Sequence, residues 1–206
     1  MALLILAACS GTGKSTLVKG LLARHPRLSL SVSHTTRAAR PGEVDGVAYH
    51  FVSREAFEEL AARGSFVESA EYAGNLYGTS HAEVARAERE GRDLLFEVEV
   101  VGAAALKAAY PYALSCFLLP PDWGAVETRL RGRGTEGEDS IARRLAAGRR
   151  ELARAHEFDA AVVNDDLAAA LDDLSALYRG AQLSMRAQRE TLERLRAQAG
   201  VREGEP

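Results

Sequence analysis

Lysine is almost absent. Only Lys14, Lys19 and Lys107 occur among 206 residues, so 23 of the 26 basic side chains are arginine, a bias that genome composition or a hot habitat explains as readily as function. The two cysteines, Cys9 and Cys116, are too few and too far apart for a disulfide framework or a cysteine zinc site, which fits a reducing, cytoplasmic setting. Positive charge is not in excess. A formal net charge of -3 and an isoelectric point near 6.0 give no general attraction for a polyanion, so no nucleic-acid partner is expected. No stretch approaches the roughly 20 apolar residues that a membrane span needs, and no membrane partner is expected. The apolar run of residues 2–8, ending Leu6-Ala7-Ala8-Cys9, has the outline of a lipoprotein cleavage site. No positive charge precedes it, however, and it is at the short limit of a signal core, so it reads as a buried strand.

What is present is ordinary for a folded protein: 47% hydrophobic and 27% charged residues, in a chain long enough for one substantial core and short for two independent domains. Apolar runs of strand length alternate with segments of helical period, the pattern of an α/β protein whose parallel sheet is covered by helices. Strands are expected at residues 3–8, 28–33, 94–98, 114–119 and 160–163. Helices are expected at 16–24, around Phe57, Leu60 and Ala61, at 139–157, and where Leu167, Leu171 and Leu174 recur at helical spacing. Ser80-His81-Ala82-Glu83 has the form of a capping box opening a helix that Gly91 ends. Residues 34–92 break the alternation and predict a small mixed or antiparallel insertion. Residues 132–138, glycine-rich and charged, lead into an arginine-rich helix and read as a lid. The expected organisation is one domain: a core of about 1–33, 93–128 and 158–180, an insertion over about 34–92, a lid over about 129–157, and a helical tail over about 181–206 that frays beyond Arg202.

Ala8-Cys9-Ser10-Gly11-Thr12-Gly13-Lys14-Ser15 follows a predicted strand and opens a predicted helix, the context that a Walker A phosphate loop requires. Gly11 and Gly13 let the backbone curl so that N–H groups from Ser10 through Thr12 and on to Thr16 point at phosphate oxygens, aided by the positive end of the helix dipole. Lys14 adds a full charge toward the β and γ oxygens, and the Ser15 hydroxyl is placed to coordinate Mg²⁺ directly or through water. Ala8 takes the place usually held by the first glycine. The loop alone does not name a substrate, because ATPases, GTPases and many kinases share it.

Further motifs choose among them. Ser33-His34-Thr35-Thr36-Arg37-Ala38-Ala39-Arg40-Pro41-Gly42-Glu43, then Tyr49 and Phe51, Gly74 through Ser80, Arg131-Gly132-Arg133-Gly134-Thr135 and Val163-Asn164-Asp165-Asp166-Leu167 together resemble the guanylate kinase family, in order, over residues 3 to about 180. The resemblance implies a three-layer P-loop kinase with a parallel core sheet, a GMP-binding insertion and a helical lid, acting on ATP with Mg²⁺ and on GMP. It implies that Ser33, Arg37, Arg40, Tyr49 and Tyr77 hold the phosphate of GMP. The chemistry agrees, since guanidinium forks three residues apart can share the oxygens of a compact dianion.

For the base, the family pattern maps to Glu68 and Thr79, with Glu97 and Glu99 nearby. Guanine presents N1–H and N2–H side by side, so one carboxylate accepts both while a hydroxyl donates to O6; adenine would leave the carboxylate facing a bare acceptor. The chain departs from the family at Glu99, longer than the usual Asp, and at Val101, which stands in place of a Gln. By the same resemblance Arg129, Arg133 and Arg144 are lid arginines that work with Lys14, Mg²⁺ and Arg37 on the transferring phosphoryl group, and Asn164 lies near adenine. Without the family pattern, Arg129 and Arg144 read as members of a set of helical salt bridges with Glu127 or Glu138. A peptide-binding module of the same fold and a kinase for a ribose bisphosphate are the alternatives. Intact Lys14, Ser15 and Arg133 speak against the first, and Glu68 with Thr79 against the second.

Overall fold

A run of six apolar residues can be buried along its whole length only in the middle of a sheet covered on both faces. In the computed structural model, which describes residues 1–72, 74–132 and 137–200, that is the position of β1 (Leu3–Ala8), every residue of which is buried. After α1 (Lys14–Arg24) and β2 (Leu28–Leu30), the chain leaves this sheet for β3 (His34–Thr35), β4 (His50–Phe51), α2 (Arg54–Ala62), β5 (Phe66–Tyr72), β6 (Asn75–Ser80) and α3 (His81–Arg89). It returns in β7 (Asp93–Glu97), α4 (Val100–Ala109), β8 (Leu114–Leu119), α5 (Trp123–Arg131), α6 (Glu138–Ala153), a 3₁₀ turn at Ala155–Glu157, β9 (Ala160–Val163), α7 (Leu167–Gln182) and α8 (Arg189–Ala199).

The first sheet has the order β2-β7-β1-β8-β9 with every pairing parallel. Successive side chains of β1 point to opposite faces, and this divides the core into two layers. Leu4, Leu6 and Ala8 pack with Leu17, Val18 and Leu21 of α1 and Leu171, Leu174 and Tyr178 of α7. Leu3, Ile5 and Ala7 pack with Val84 and Ala87 of α3 and Val100, Ala103 and Leu106 of α4. The result is the expected three-layer α/β arrangement.

The second sheet, β4-β3-β6-β5, is mixed: β3 and β4 run parallel, and the other pairings are antiparallel. Its β5–β6 hairpin carries a register shift between Phe66 and Glu68, after which Glu68 lies directly opposite Thr79. The bulge re-aims the strand.

Three local expectations differ from the structure: the helix expected over 139–157 ends as α6 at Ala153, before the 3₁₀ turn, and two others concern β2 and α3. β2 is shorter than residues 28–33, and the chain beyond it is turned toward α3, where the Val32 amide donates to Glu83 Oε2 at 2.8 Å. That bond also removes the capping box. Ser80 is the N-cap residue of α3 but makes no side-chain cap, and Glu83, 6% exposed, is committed to Val32 and Arg86 instead. Gly91 does follow the end of α3, with φ of 63°. Cys9 and Cys116 are buried free thiols. Among the described residues no helix is long and apolar enough to cross a membrane.

Candidate active site

The phosphate loop lies at the carboxyl end of β1, where open parallel sheets bind their ligands. Gly11 and Gly13 have φ of 89° and 95°, a left-handed backbone that favours glycine. Space excludes a side chain as well. A Cβ on Gly13 would stand 2.7 Å from Asn164 Nδ2, and one on Gly11 would stand 3.1 Å from Leu130 Cγ and 3.2 Å from the Val126 carbonyl oxygen. Thr12 is fully buried, and its hydroxyl donates to the Cys9 carbonyl at 2.8 Å, closing the loop on itself. α1 then starts at Lys14 with no acidic residue in its first turn, so its amino end is kept for an anion.

Around this loop stand the other predicted residues of the ATP side. Lys14 Nζ donates to the Val98 carbonyl at 3.0 Å, and the Ser15 hydroxyl donates to Glu97 Oε1 at 3.4 Å. Asn164, 7% exposed, donates from Nδ2 to the Thr12 carbonyl at 2.6 Å, bracing the loop from the end of β9. Arg129 spans the same two segments, donating to the Thr12 and Asn164 carbonyls at 3.2 Å each. Arg144 donates from Nε to Ser10 Oγ at 2.9 Å. The salt bridges to Glu127 and Glu138 belong to Arg131 instead. Arg129 and Arg144 are thus turned to the phosphate loop. Arg133 lies outside the described residues.

The second sheet gathers the remaining predictions. Arg37 pairs with Glu43 at 2.9 Å and lies over the rings of Tyr49 and Phe51, 5.4 and 5.7 Å from their centroids. Glu43 also accepts from the Arg40 amide at 2.7 Å, which folds residues 37–43 into one compact turn; the Arg40 side chain is exposed. The Tyr49 and Tyr77 rings meet edge to face at 6.0 Å, and burial pushes the Tyr49 hydroxyl above its ordinary range. Ser33, at the entry to β3, receives the His50 amide on its carbonyl at 2.9 Å.

Glu68 accepts twice from Thr79, from its hydroxyl at 2.7 Å and from its amide at 3.1 Å, and Thr79 is fully buried. Burial pushes the Glu68 carboxyl above the usual range, and the two bonds from Thr79 offset only part of that. The other oxygen of Glu68 lies 3.0 Å from where a Cβ of Gly102 would be, so the acid is seated against the first turns of α4. Glu99, the N-cap residue of α4, faces Glu151 of α6.

Three residues of this region were missed in the sequence. Glu151 sits beside Ser10, Lys14 and Glu99; Gly148 faces Cys9; Gly102 faces Glu68. A glycine in the middle of a helical pattern is the signal for Gly148, since such a residue usually has a packing reason.

A family model described as guanylate kinase matches residues 1–180. A guanylate kinase of Trichormus variabilis is 49% identical over 178 residues, 86% of this chain and 89% of that protein. One of Thiobacillus denitrificans is 49% identical over 186 residues, 90% of this chain and 89% of that protein. In structure the chain is similar to a guanylate kinase from Anaplasma phagocytophilum, with a TM-score of 0.72 and 30% identity, covering 89% of this chain and 87% of that one.

Proposed function

Because the chain belongs to the guanylate kinase family, we propose that it transfers the γ-phosphoryl group of Mg-bound ATP to GMP, and to dGMP, giving ADP and GDP in the cytoplasm. The observation that carries this reading is the half-buried Glu68 held against the fully buried Thr79. The Glu68 carboxylate can accept both donors of guanine's edge, the Thr79 hydroxyl can turn from Glu68 to donate to its carbonyl, and adenine would be left with an unpaired acceptor.

The phosphate loop and the amino end of α1 take the β and γ phosphates, through backbone N–H groups from Gly11 to Thr16 and the Lys14 ammonium, with Ser10 at the entry to the loop. Lys14 must leave the Val98 carbonyl to do so, which exchanges one acceptor for a stronger, charged one. The donor set fits Mg²⁺, a hard cation that prefers oxygen. The Ser15 hydroxyl would hold it, with its proton directed at Glu97 and a lone pair left for the metal. Mg²⁺ supplies neutralisation of charge on the β and γ oxygens.

On the acceptor side, Arg37, Arg40, Tyr49, Tyr77 and Ser33 hold the phosphate of GMP, while Glu97 and Glu99 line the same end of the sheet. The GMP dianion displaces Glu43 from Arg37, trading one anion for another of higher charge. The attacking oxygen is already ionised, so no side chain need take its proton, and Arg133, Arg144 and Arg129 with Lys14 offset the charge on the transferring group. Residues 34–92 act as the GMP-binding insertion and 129–157 as the lid that excludes water.

A coupled assay of ADP release with GMP, dGMP, AMP and ribose phosphates tests the reading. Turnover with GMP and dGMP and almost none with the others is expected, and equal rates with AMP and GMP would end the base-recognition argument. Lys14→Ala is expected to lower turnover by roughly 10²–10³-fold, the range seen when one preorganised donor to a transition-state charge is lost.

A further inference from the structure

One face of α6 lies against the phosphate loop. Arg144 donates to Ser10 Oγ at 2.9 Å. Four residues on, Gly148 is buried, and a Cβ there would stand 3.3 Å from Cys9 Cβ and 3.3 Å from Trp123 Cη2. Three further on, Glu151 brings its carboxyl to the Ser10 amide and toward Lys14 and Glu99, and its Oε2 is shut off from water with no hydrogen-bond partner. Positions spaced by four and then three residues share a helix face, so these are parts of one contact.

Both added features cost stability. Glycine in mid-helix is a poor helix former, and a buried polar atom left unpaired loses the hydrogen bond it made to water. Fastening α6 does not require them. Apolar anchors serve for that: Ile141 and Leu145 pack against Val126 and Leu130 of α5, and Leu152 packs against the core of the first sheet.

We infer that Gly148 and Glu151 are positioning residues for the triphosphate: Gly148 lets the α6 backbone come down onto Cys9, and Glu151, at the Ser10 amide and beside Lys14, fixes the start of the loop so that the amides that follow and the ammonium meet phosphate oxygens. The shape of the loop and the seat of the lid helix are then set by the same contact. Burial first, and Glu99 second, push the Glu151 carboxyl upward, toward a neutral acid that can hydrogen-bond without placing a negative charge beside the phosphates. The Cys9 thiol, raised by burial and facing the same two acids, marks how dry this corner is.

This inference rests on the reading that the loop holds ATP, and calorimetry on the full chain with MgATP and with GMP, alongside melting temperature, separates the two. Glu151→Ala is expected to weaken MgATP roughly tenfold, the cost of one buried polar group losing its partner, with GMP affinity unchanged. Glu151→Gln keeps a carbonyl for the Ser10 amide and is expected to recover most of that loss. Gly148→Ala is expected to weaken MgATP without lowering the melting temperature, because alanine favours the helix. Unchanged MgATP affinity in Glu151→Ala and Gly148→Ala would overturn the inference, as would equal losses for MgATP and GMP that track a falling melting temperature. A wild-type chain that binds no MgATP would remove the functional reading itself, and this inference with it.

Discussion

Glu68 has two tasks that pull its proton in opposite directions. In the empty protein, burial favours the neutral acid and raises its pKa. Guanine needs the carboxylate, because both of its edge groups donate. A carboxyl whose folded value lies above the ordinary 4.5 contributes stability at low pH, and that contribution is lost as pH rises through the window between the two values. GMP affinity is therefore expected to rise with pH across the same window and then level off, measured by calorimetry. Glu68→Gln should abolish that dependence and lower GMP turnover by at least about a hundredfold, since its amide would set donor against donor. Gly102→Ala would put a methyl into the 3.0 Å gap beside Glu68 Oε2 and push the carboxyl aside. It should lower kcat/KM for GMP while leaving the KM for ATP unchanged. Thr79 and the phosphate loop were legible in the sequence because their residues lie in contiguous motifs, whereas Glu68 was legible only through the family resemblance, its spacing alone reading as a surface acid. Gly102, Gly148 and Glu151 were not, since each is defined by an approach between distant segments that no local spacing announces.

At the scale of elements, the long apolar strands β1, β8 and β9 were found at the bounds the sequence predicts. The burial of β1 and β8 follows from their composition, while β9, at the edge of the sheet, buries only Val162. Where a side chain had a choice of partner, prediction failed. Glu83 stands at capping-box spacing from Ser80, but the Val32 amide and Arg86 claim it, so tertiary hydrogen bonds outcompete the local one. The same residue thereby ties the exit of the first sheet to the helix that follows the second. α7 shows the reverse case, in which the local device forms. Its N-cap Asp166 accepts from the Ala169 amide at 2.8 Å. Asp166→Ala is expected to cost about 1 kcal/mol, read as a lower urea midpoint at constant slope, because α7 covers β1 through Leu171, Leu174 and Tyr178.

At the scale of the molecule, one carboxylate joins the two ends of the core. Asp93, 1% exposed at the start of β7, accepts from the Ala2 amide at 2.7 Å, the Tyr178 hydroxyl at 2.7 Å and Gln182 at 2.9 Å, and pairs with Arg27 at 3.3 Å. Burial pushes its pKa up, but these donors outweigh it and hold the carboxyl below 3.8. A depressed carboxylate contributes stability that is present above the unfolded value and lost as pH falls through the folded one. Asp93→Asn should lower stability by about 2–4 kcal/mol, through hydrogen bonds to a charged acceptor, and flatten the acid limb of the urea midpoint below about pH 4. The order of strands in the first sheet has a further consequence during synthesis. β1 is made first, yet Leu3 lies against Leu94 and Leu4 against Leu114. At about 5–20 residues per second on the ribosome, this greasy hexapeptide emerges several seconds before either flanking strand exists. Pausing of translation anywhere between the two would prolong that orphanhood, and a newborn chain in a crowded polysome is then most open to sticking to its neighbour.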